Sequence, residues 1–199
     1  MSFGHGGTRR HFVAGLVTTG IAGLTLPSLS RRAAAQARLA PTPSCDDADE
    51  PTPAQTEGPY FTPNSPERWT LREAGMTGTP IDLAGFVLTR SCRPVGGALV
   101  ELWHADDAGQ YDNEGYRLRG HVFTDHDGRY LFETIVPGLY PGRTRHFHLK
   151  FQAPNQPVLT TQFYFPGEAG NEHDRIFRPE LLLAIEGGMG WFDTVLDIA

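Results

Sequence analysis

Apolar positions along this chain fall in short runs, several alternating with polar ones, and none keeps helical spacing beyond two turns. Ile81–Thr89 is apolar, bounded by Pro80 and by the turn Arg93-Pro94-Val95-Gly96-Gly97, and predicts a strand. Ala98–Trp103 predicts a second, with Leu99, Glu101 and Trp103 on one face and Val100 and Leu102 on the other. His121–Thr124 and Arg129–Thr134 flank Asp125-His126-Asp127-Gly128, whose Asp-Gly ending predicts a hairpin. Further strands are expected at Leu149–Phe151 and Leu159–Phe165, and short apolar runs close the chain at Leu181–Ile185 and Trp191–Ile198. Short strands separated by turns imply an all-β sandwich or barrel. The 23 glycines and 16 prolines agree with many turns. Ala105–Arg119 is polar and irregular, and loops of that length in compact domains are often functional.

The same parity singles out a chemical group. His146 and His148 lead into Leu149-Lys150-Phe151, so on a strand both imidazoles point one way while Phe147, Leu149 and Phe151 point into the core. Two adjacent imidazoles can share a metal ion; the bland alternative is a pair of exposed strand histidines. A cupin would place a glutamate four or five residues later, where this chain has Gln152 and Ala153. The distinctive neighbours are tyrosines: Tyr140 just upstream and Tyr111 in the long loop. A phenol with a pKa of about 10 is a poor ligand for zinc or ferrous iron. A trivalent cation removes that proton, and two phenolates in turn favour Fe(III) over Fe(II). Two histidines and two tyrosines therefore imply a ferric site with room for a fifth ligand. Two other readings stand beside it: a non-catalytic β-sandwich that binds aromatics or a partner, and a periplasmic copper or zinc protein using the His-x-His strand.

Over residues 54–166 the chain resembles the intradiol ring-cleaving dioxygenases. The matching blocks are Gln55-Thr56-Glu57-Gly58-Pro59-Tyr60-Phe61, then Val100-Glu101-Leu102-Trp103-His104-Ala105 leading to Gly109-Gln110-Tyr111. Thr124-Asp125, Gly128-Arg129-Tyr130, Thr134–Pro141, His146-Phe147-His148 and Leu159–Phe165 follow in order. The resemblance implies a β-sandwich with long functional loops and Fe(III) as cofactor. It also implies a small aromatic diol and O2 as substrates, with a cis,cis-muconate as product. It implies Tyr111, Tyr140, His146 and His148 as iron ligands, with Tyr140 and His148 axial and Tyr140 leaving when the diol binds. Arg143 matches the active-site arginine, Gln162 the glutamine beside it, and Gly58-Pro59-Tyr60 a wall of the substrate pocket. Strand alternation carried back from His146 would turn Arg143 away, so the match requires a turn before that histidine. The chain departs from the pattern at Gly142, where an aromatic is usual, at Thr144-Arg145, where Pro-Ala is common, and at His104, where glutamine is usual. His104, His121, His126 and His173 are expected to be surface or hydrogen-bonding histidines.

The N-terminus reads differently. Thr8-Arg9-Arg10-His11-Phe12 precedes a weakly apolar run to Leu29, then Arg31-Arg32 and the small-residue site Ala35-Gln36-Ala37. Residues 1–37 are thus expected to be a twin-arginine export signal, 38–54 an extended arm, and 55–199 the folded domain. The alternative is a retained membrane anchor, but the run is short and glycine-rich for a span, so no stable membrane span is expected after cleavage. The expected location is periplasmic or extracellular, with the twin-arginine machinery as a transient partner; a homo-oligomer is left open. Cleavage takes four arginines and no acid from 17 basic and 23 acidic residues, leaving a formal charge of −10. That argues against nucleic acid or anionic lipid as a partner. Cys45 and Cys92 are the only cysteines, and either one disulfide or two separate thiols fits the spacing. A precursor carrying Arg9→Lys and Arg10→Lys should stay in the cytoplasm, as read by fractionation. Equal export of that precursor and wild type would sink the assignment.

Overall fold

The computed structural model describes Cys45 and residues 50–199. The expected signal, and the arm from 38 to 49 apart from Cys45, lie outside the described residues. Nine strands form: β1 (Pro80–Leu88), β2 (Leu99–Trp103), β3 (Arg119–Phe123), β4 (Arg129–Ile135), β5 (His146–Gln152), β6 (Leu159–Tyr164), β7 (Ala184–Glu186), β8 (Met189–Trp191) and β9 (Thr194–Val195). One sheet is antiparallel in the order β3-β2-β5-β6. The other runs β4-β1-β8-β7, with β9 on the far end of β1, and β8 and β9 lie parallel to β1. A single 3-10 turn, Pro179–Leu181, is the only helical element among the described residues. No helix among them is long and apolar enough to cross a membrane.

The sandwich closes because each sheet keeps one apolar face. Val100 and Leu102 of β2 with Phe147, Leu149 and Phe151 of β5 meet Leu83 and Val87 of β1 and Phe132 of β4 in one buried cluster. Each such side chain contributes about 1.5–3 kcal/mol by leaving water. The polar parity positions of β2, β5 and β6 therefore fall on the outer face of the four-stranded sheet, where the arm and loops cover them.

Two expectations change. Asp125–Gly128 does not close a hairpin: β3 pairs with β2 and β4 with β1, so the turn carries the chain from one sheet to the other. The turn chemistry is still present, since Asp125 Oδ1 accepts the Asp127 and Arg129 amides, both at 2.9 Å. Local capping makes a turn; the seven-residue register with β1 decides which strand β4 joins. In the tail, the run Leu181–Ile185 divides between the 3-10 turn and β7, and Gly187-Gly188 lead into β8.

The arm is bound where it is described. The Thr52 amide donates to Val195 O at 2.9 Å, and the Val195 amide donates to Thr52 Oγ1 at 2.9 Å. Farther along, the Gln55 amide donates to Thr160 O at 2.8 Å and Thr161 Oγ1 donates to Pro53 O at 2.8 Å. Behind it, Cys45 and Cys92 form a disulfide, with Cα atoms 5.7 Å apart. The bond closes a loop of sequence separation 47. By loop-closure entropy it stabilises the fold by about 4 kcal/mol. A Cys45→Ser, Cys92→Ser protein should show that loss in its denaturant midpoint while keeping its far-ultraviolet spectrum. An unchanged midpoint would refute that contribution of the disulfide.

Candidate metal centre

Strand register builds the floor of the site. Trp103 on β2 pairs with Arg119 on β3 and with His148 on β5, and His148 pairs with Gln162 on β6. Directly paired residues share a face, so Arg119, Trp103, His148 and Gln162 form one row, with His146 opposite Tyr164 beside it. The His148 ring stacks on Trp103 with centroids 5.0 Å apart and planes 11° apart. His146 and His148 bring their Nε2 atoms to 3.1 Å from one another. His146 Nδ1 lies 2.6 Å from Thr144 O, to which its N–H donates, so its Nε2 is a free electron pair aimed at the same point as that of His148. His148 Nδ1 is buried without a partner among the described residues. Burial, then the Arg143 charge, pushes His146 down to about 4; burial, then His146, holds His148 well below the usual range. Both imidazoles are neutral at pH 7, the state a metal requires.

Two loops bring the tyrosines. Asp106 Oδ1 accepts the Ala108 and Gln110 amides, and Asp112 carboxylate oxygens accept those of Glu114, Gly115 and Arg117, so Tyr111 sits between two capped turns. This loop touches the Tyr140 loop backbone to backbone, with the Gly138 amide donating to Asp106 O at 2.6 Å. A Cβ on Gly109 would stand 2.2 Å from Leu139 O, and one on Gly138 2.3 Å from Gly109 N. Only glycine allows that approach. The Tyr111 ring centroid ends 6.0 Å from Tyr140 and 6.1 Å from His148, both edge-on.

Tyr60 completes the cage. Its ring stacks on Tyr111 at 4.6 Å, and its hydroxyl lies 2.9 Å from that of Tyr140. The hydrogen bond to Tyr140 raises the Tyr60 phenol, helped by desolvation. Burial pushes the Tyr111 phenol up, against the pull of the Arg143 and Arg119 charges. Gly58 lies over His148, where a Cβ would stand 3.3 Å from Cε1. Pro59, between these two contacts, is exposed.

Arg143 lies in the turn before β5, which begins at His146. Its Nη2 donates to Gln162 Oε1 at 2.6 Å and its Nε to Asp174 Oδ2 at 2.8 Å. Gln162 is fully buried and donates from Nε2 to Thr56 O at 2.9 Å. Arg145 goes elsewhere: its Nε donates to Glu168 Oε1 at 2.7 Å and its Nη1 to Pro137 O.

Arg119 was not anticipated, and His104, expected as a surface or hydrogen-bonding histidine, is hydrogen-bonded and buried. Arg119 is 1% exposed, and its hydrogen bonds all go to backbone carbonyls. Nε and Nη2 donate to Asp112 O at 3.0 and 2.7 Å, and Nη1 to Tyr60 O at 2.6 Å. One guanidinium thus joins the Tyr111 loop to the Tyr60 segment, a link with no local sequence signal. His104 is 1% exposed, with Nδ1 2.7 Å from Ala105 O and Nε2 2.6 Å from Thr134 Oγ1. His126 and His173 are exposed. His121 is half-buried, with Nδ1 3.3 Å from Ser65 Oγ.

The donor set is therefore two converging imidazole nitrogens and two phenol oxygens on a buried floor, which fits a hard trivalent ion better than zinc. Among the described residues the one chelating group of His, Cys, Asp and Glu is Asp125-His126-Asp127, in the turn between the sheets. Its Asp125 already caps two amides.

Residues 56–184 match a protein-family model described as Dioxygenase. The chain is 30% identical over 150 residues to hydroxyquinol 1,2-dioxygenase of Nocardioides simplex, covering 63% of this chain and 51% of that protein. It is 35% identical over 119 residues to the protocatechuate 3,4-dioxygenase beta chain of Burkholderia cepacia, covering 51% of each. The chain thus spans about half the length of these curated relatives. A solved dioxygenase domain from Streptomyces sp. SirexAA-E, part of a dioxygenase carbohydrate-binding protein fusion, is 52% identical with a TM-score of 0.73. That match covers 75% of this chain and all of the domain.

His104 makes a prediction of its own. Burial lowers it to about 4, whereas an unfolded histidine titrates near 6.5. Between those values only the unfolded chain takes the proton, so stability falls as pH drops from 6.5 to 4 and levels off below. The loss is about 3 kcal/mol. His104→Gln, which keeps a donor and an acceptor, should remove this part of the acid dependence. Unfolding curves at pH 7 and pH 4.5 for both proteins test it, and parallel losses would refute it.

Proposed function

The chain belongs to the intradiol dioxygenase family, and from that premise we propose that it opens catechol-type rings between the two hydroxyl-bearing carbons. Both atoms of O2 enter the product, a cis,cis-muconate. The convergence of His146 and His148 Nε2 at 3.1 Å, with the Tyr111 ring beside His148 and the Tyr140 ring beside Tyr111, is the observation that carries this reading.

In this reading Tyr111, Tyr140, His146 and His148 hold Fe(III). The ion supplies a Lewis-acidic seat that draws electron density from a bound catecholate and readies the ring for O2. The chain supplies the remaining functions. Thr144 O and Trp103 fix the two imidazoles in orientation. Tyr140 Oη can take a proton from the incoming diol, because the Tyr60 hydroxyl stands 2.9 Å away to hydrogen-bond the phenol so formed. Gly58 and Tyr60 wall the pocket. Arg143, anchored by Gln162 and Asp174, presents a cation to the ring as negative charge grows on it. The copper or zinc reading leaves without a task both Tyr111, whose ring meets His148, and Tyr140, whose ring meets that of Tyr111. A purely binding sandwich leaves the full donor set without one.

We place the mature protein outside the cytoplasm. The Cys45–Cys92 disulfide supports an oxidising compartment. The arginine pair near the N-terminus supports the twin-arginine route, which carries proteins already folded with their cofactor. The 52% identical relative, fused to a carbohydrate-binding protein in a cellulolytic bacterium, supports an extracellular setting.

Protein loaded with ferric iron should be coloured, because phenolate-to-iron charge transfer absorbs in the visible. It should consume O2 with at least one ring among catechol, hydroxyquinol and protocatechuate. Tyr111→Phe and Tyr140→Phe should each shift or bleach the band, and His146→Ala or His148→Ala should lose the iron. Arg143→Ala should keep iron and colour and turn over roughly a hundredfold more slowly. Full iron and an unchanged spectrum in both tyrosine variants would show the ligand set to be wrong.

A further inference from the structure

The three residues before the first strand histidine are each gripped by one polar side chain of a single loop in the tail. Arg143 Nε donates to Asp174 Oδ2 at 2.8 Å, Thr144 Oγ1 to Asn171 Oδ1 at 2.6 Å, and Arg145 Nε to Glu168 Oε1 at 2.7 Å. The loop packs close as well: a Cβ on Gly170 would stand 3.2 Å from Thr144 Cβ. Thr144 and Arg145 are the positions at which the sequence departs from the family pattern it resembles, where Pro-Ala is common. The loop answers each departure with a matching hydrogen-bonding group.

Asp174 differs from the other two. Its side chain is 2% exposed, against 24% for Glu168. Oδ2 accepts the Thr144 amide at 3.0 Å as well as Arg143 Nε, and Oδ1 accepts the Ile176 amide at 3.1 Å. One carboxylate therefore fixes the arginine proposed to meet the ring. It also fixes the backbone of the residue whose carbonyl orients His146. Gln162 Oε1 takes Nη2, the nitrogen beside Nε, at 2.6 Å. With Nε and Nη2 each committed to its own anchor, the planar fork has one orientation, and Nη1 carries no hydrogen bond to the described residues.

We infer that Asp174 is a positioning residue for ring cleavage: it aims the Arg143 guanidinium by holding Nε while Gln162 holds Nη2, leaving Nη1 for the substrate. The inference rests on the proposed function. Asparagine cannot replace it fully. With its oxygen toward Arg143 and Thr144, its NH2 group faces the Ile176 amide, donor to donor.

The test is a double-mutant cycle on the full chain loaded with Fe(III): wild type, Asp174→Asn, Arg143→Ala and the double variant. The readouts are iron content, the visible band, catechol affinity from the shift of that band, and kcat. Asp174→Asn should keep iron and band and lose roughly ten- to a hundredfold in kcat, since misaimed groups cost that much. In the Arg143→Ala background the same change should alter kcat by less than about twofold, because there is nothing left to aim. Glu168→Gln, which loosens only Arg145, should turn over as wild type does. Losses that multiply in the double variant, or a wild-type kcat in Asp174→Asn, overturn the inference. Should Asp174→Asn fail to fold, Arg143→Lys decides: it keeps the charge and lacks the fork, so it should stay as slow as Arg143→Ala. A lysine variant near wild-type rate overturns the inference. Wild-type protein inactive on every ring overturns the proposed function and this inference with it, whereas active wild type with a failed cycle overturns the inference alone.

Discussion

The pairing of β5 with β2 and β6 is the constraint on which the site depends. It sets His148 opposite Trp103 and Gln162, and His146 opposite Tyr164. The other face of the same strand carries Phe147, Leu149 and Phe151, all fully buried. Because side chains alternate with period two, a slip of one residue would exchange the faces. The histidines would enter the core and three large apolar side chains would lose their places in it, each burial being worth about 1.5–3 kcal/mol. The core thus enforces the geometry of the candidate metal centre, although no core atom belongs to it.

The parts that come from loops need other means. Tyr111, Tyr140, Tyr60 and Arg143 lie outside the strands, and the contacts that hold them differ: a ring stack and backbone clamps for Tyr60 and Tyr111, one hydroxyl contact and edge-on rings for Tyr140, an ion pair and hydrogen bonds for Arg143. Arg119 and Arg143 show two solutions to holding a cation there. Asp174 matches the Arg143 charge with a carboxylate, which burial alone would push up and which the Thr144 and Ile176 amides and Arg143 hold below its usual range. Arg119 is met by backbone carbonyls, and burial lowers its own pKa. A buried cation without an ion pair favours a nearby anion. Its pull on Tyr111, joined to that of Arg143, opposes the cost of burying a phenolate.

Much of this was legible in the sequence because it rests on parity and local chemistry. Strand alternation through His146, Phe147 and His148 fixes which side chains leave the core, and Pro141-Gly142 marks the turn that frees Arg143 from that alternation. The hairpin at Asp125–Gly128 was misread because capping carboxylates specify a turn and say nothing about which strand pairs next. Arg119, Asp174 and the buried setting of His104 were not legible for a common reason. Their partners are Tyr60 and Asp112, Arg143 and Thr144, and Thr134, all brought close by sheet register or by the fold of the tail. The departures at Thr144-Arg145 were visible, but their sense needed the loop at 168–174.

The two tyrosines are not equivalent, and the difference has chemical consequences. Tyr111 is stacked on Tyr60 at 4.6 Å, and the carbonyl of the next residue is clamped twice by Arg119. Tyr140 touches Tyr60 and Tyr111 only edge-on, at 5.5 and 6.0 Å, and its neighbours Leu139 and Pro141 are exposed. Moving Tyr111 would break a stack and two charge-assisted hydrogen bonds. Moving Tyr140 gives up edge contacts and can keep its hydroxyl on Tyr60. On the proposed function, a diol that needs a place on the ion, and a base for its proton, would meet less resistance from Tyr140. The restraint that the fold places on one phenol and withholds from the other would then make Tyr111 the fixed ligand and Tyr140 the displaceable one.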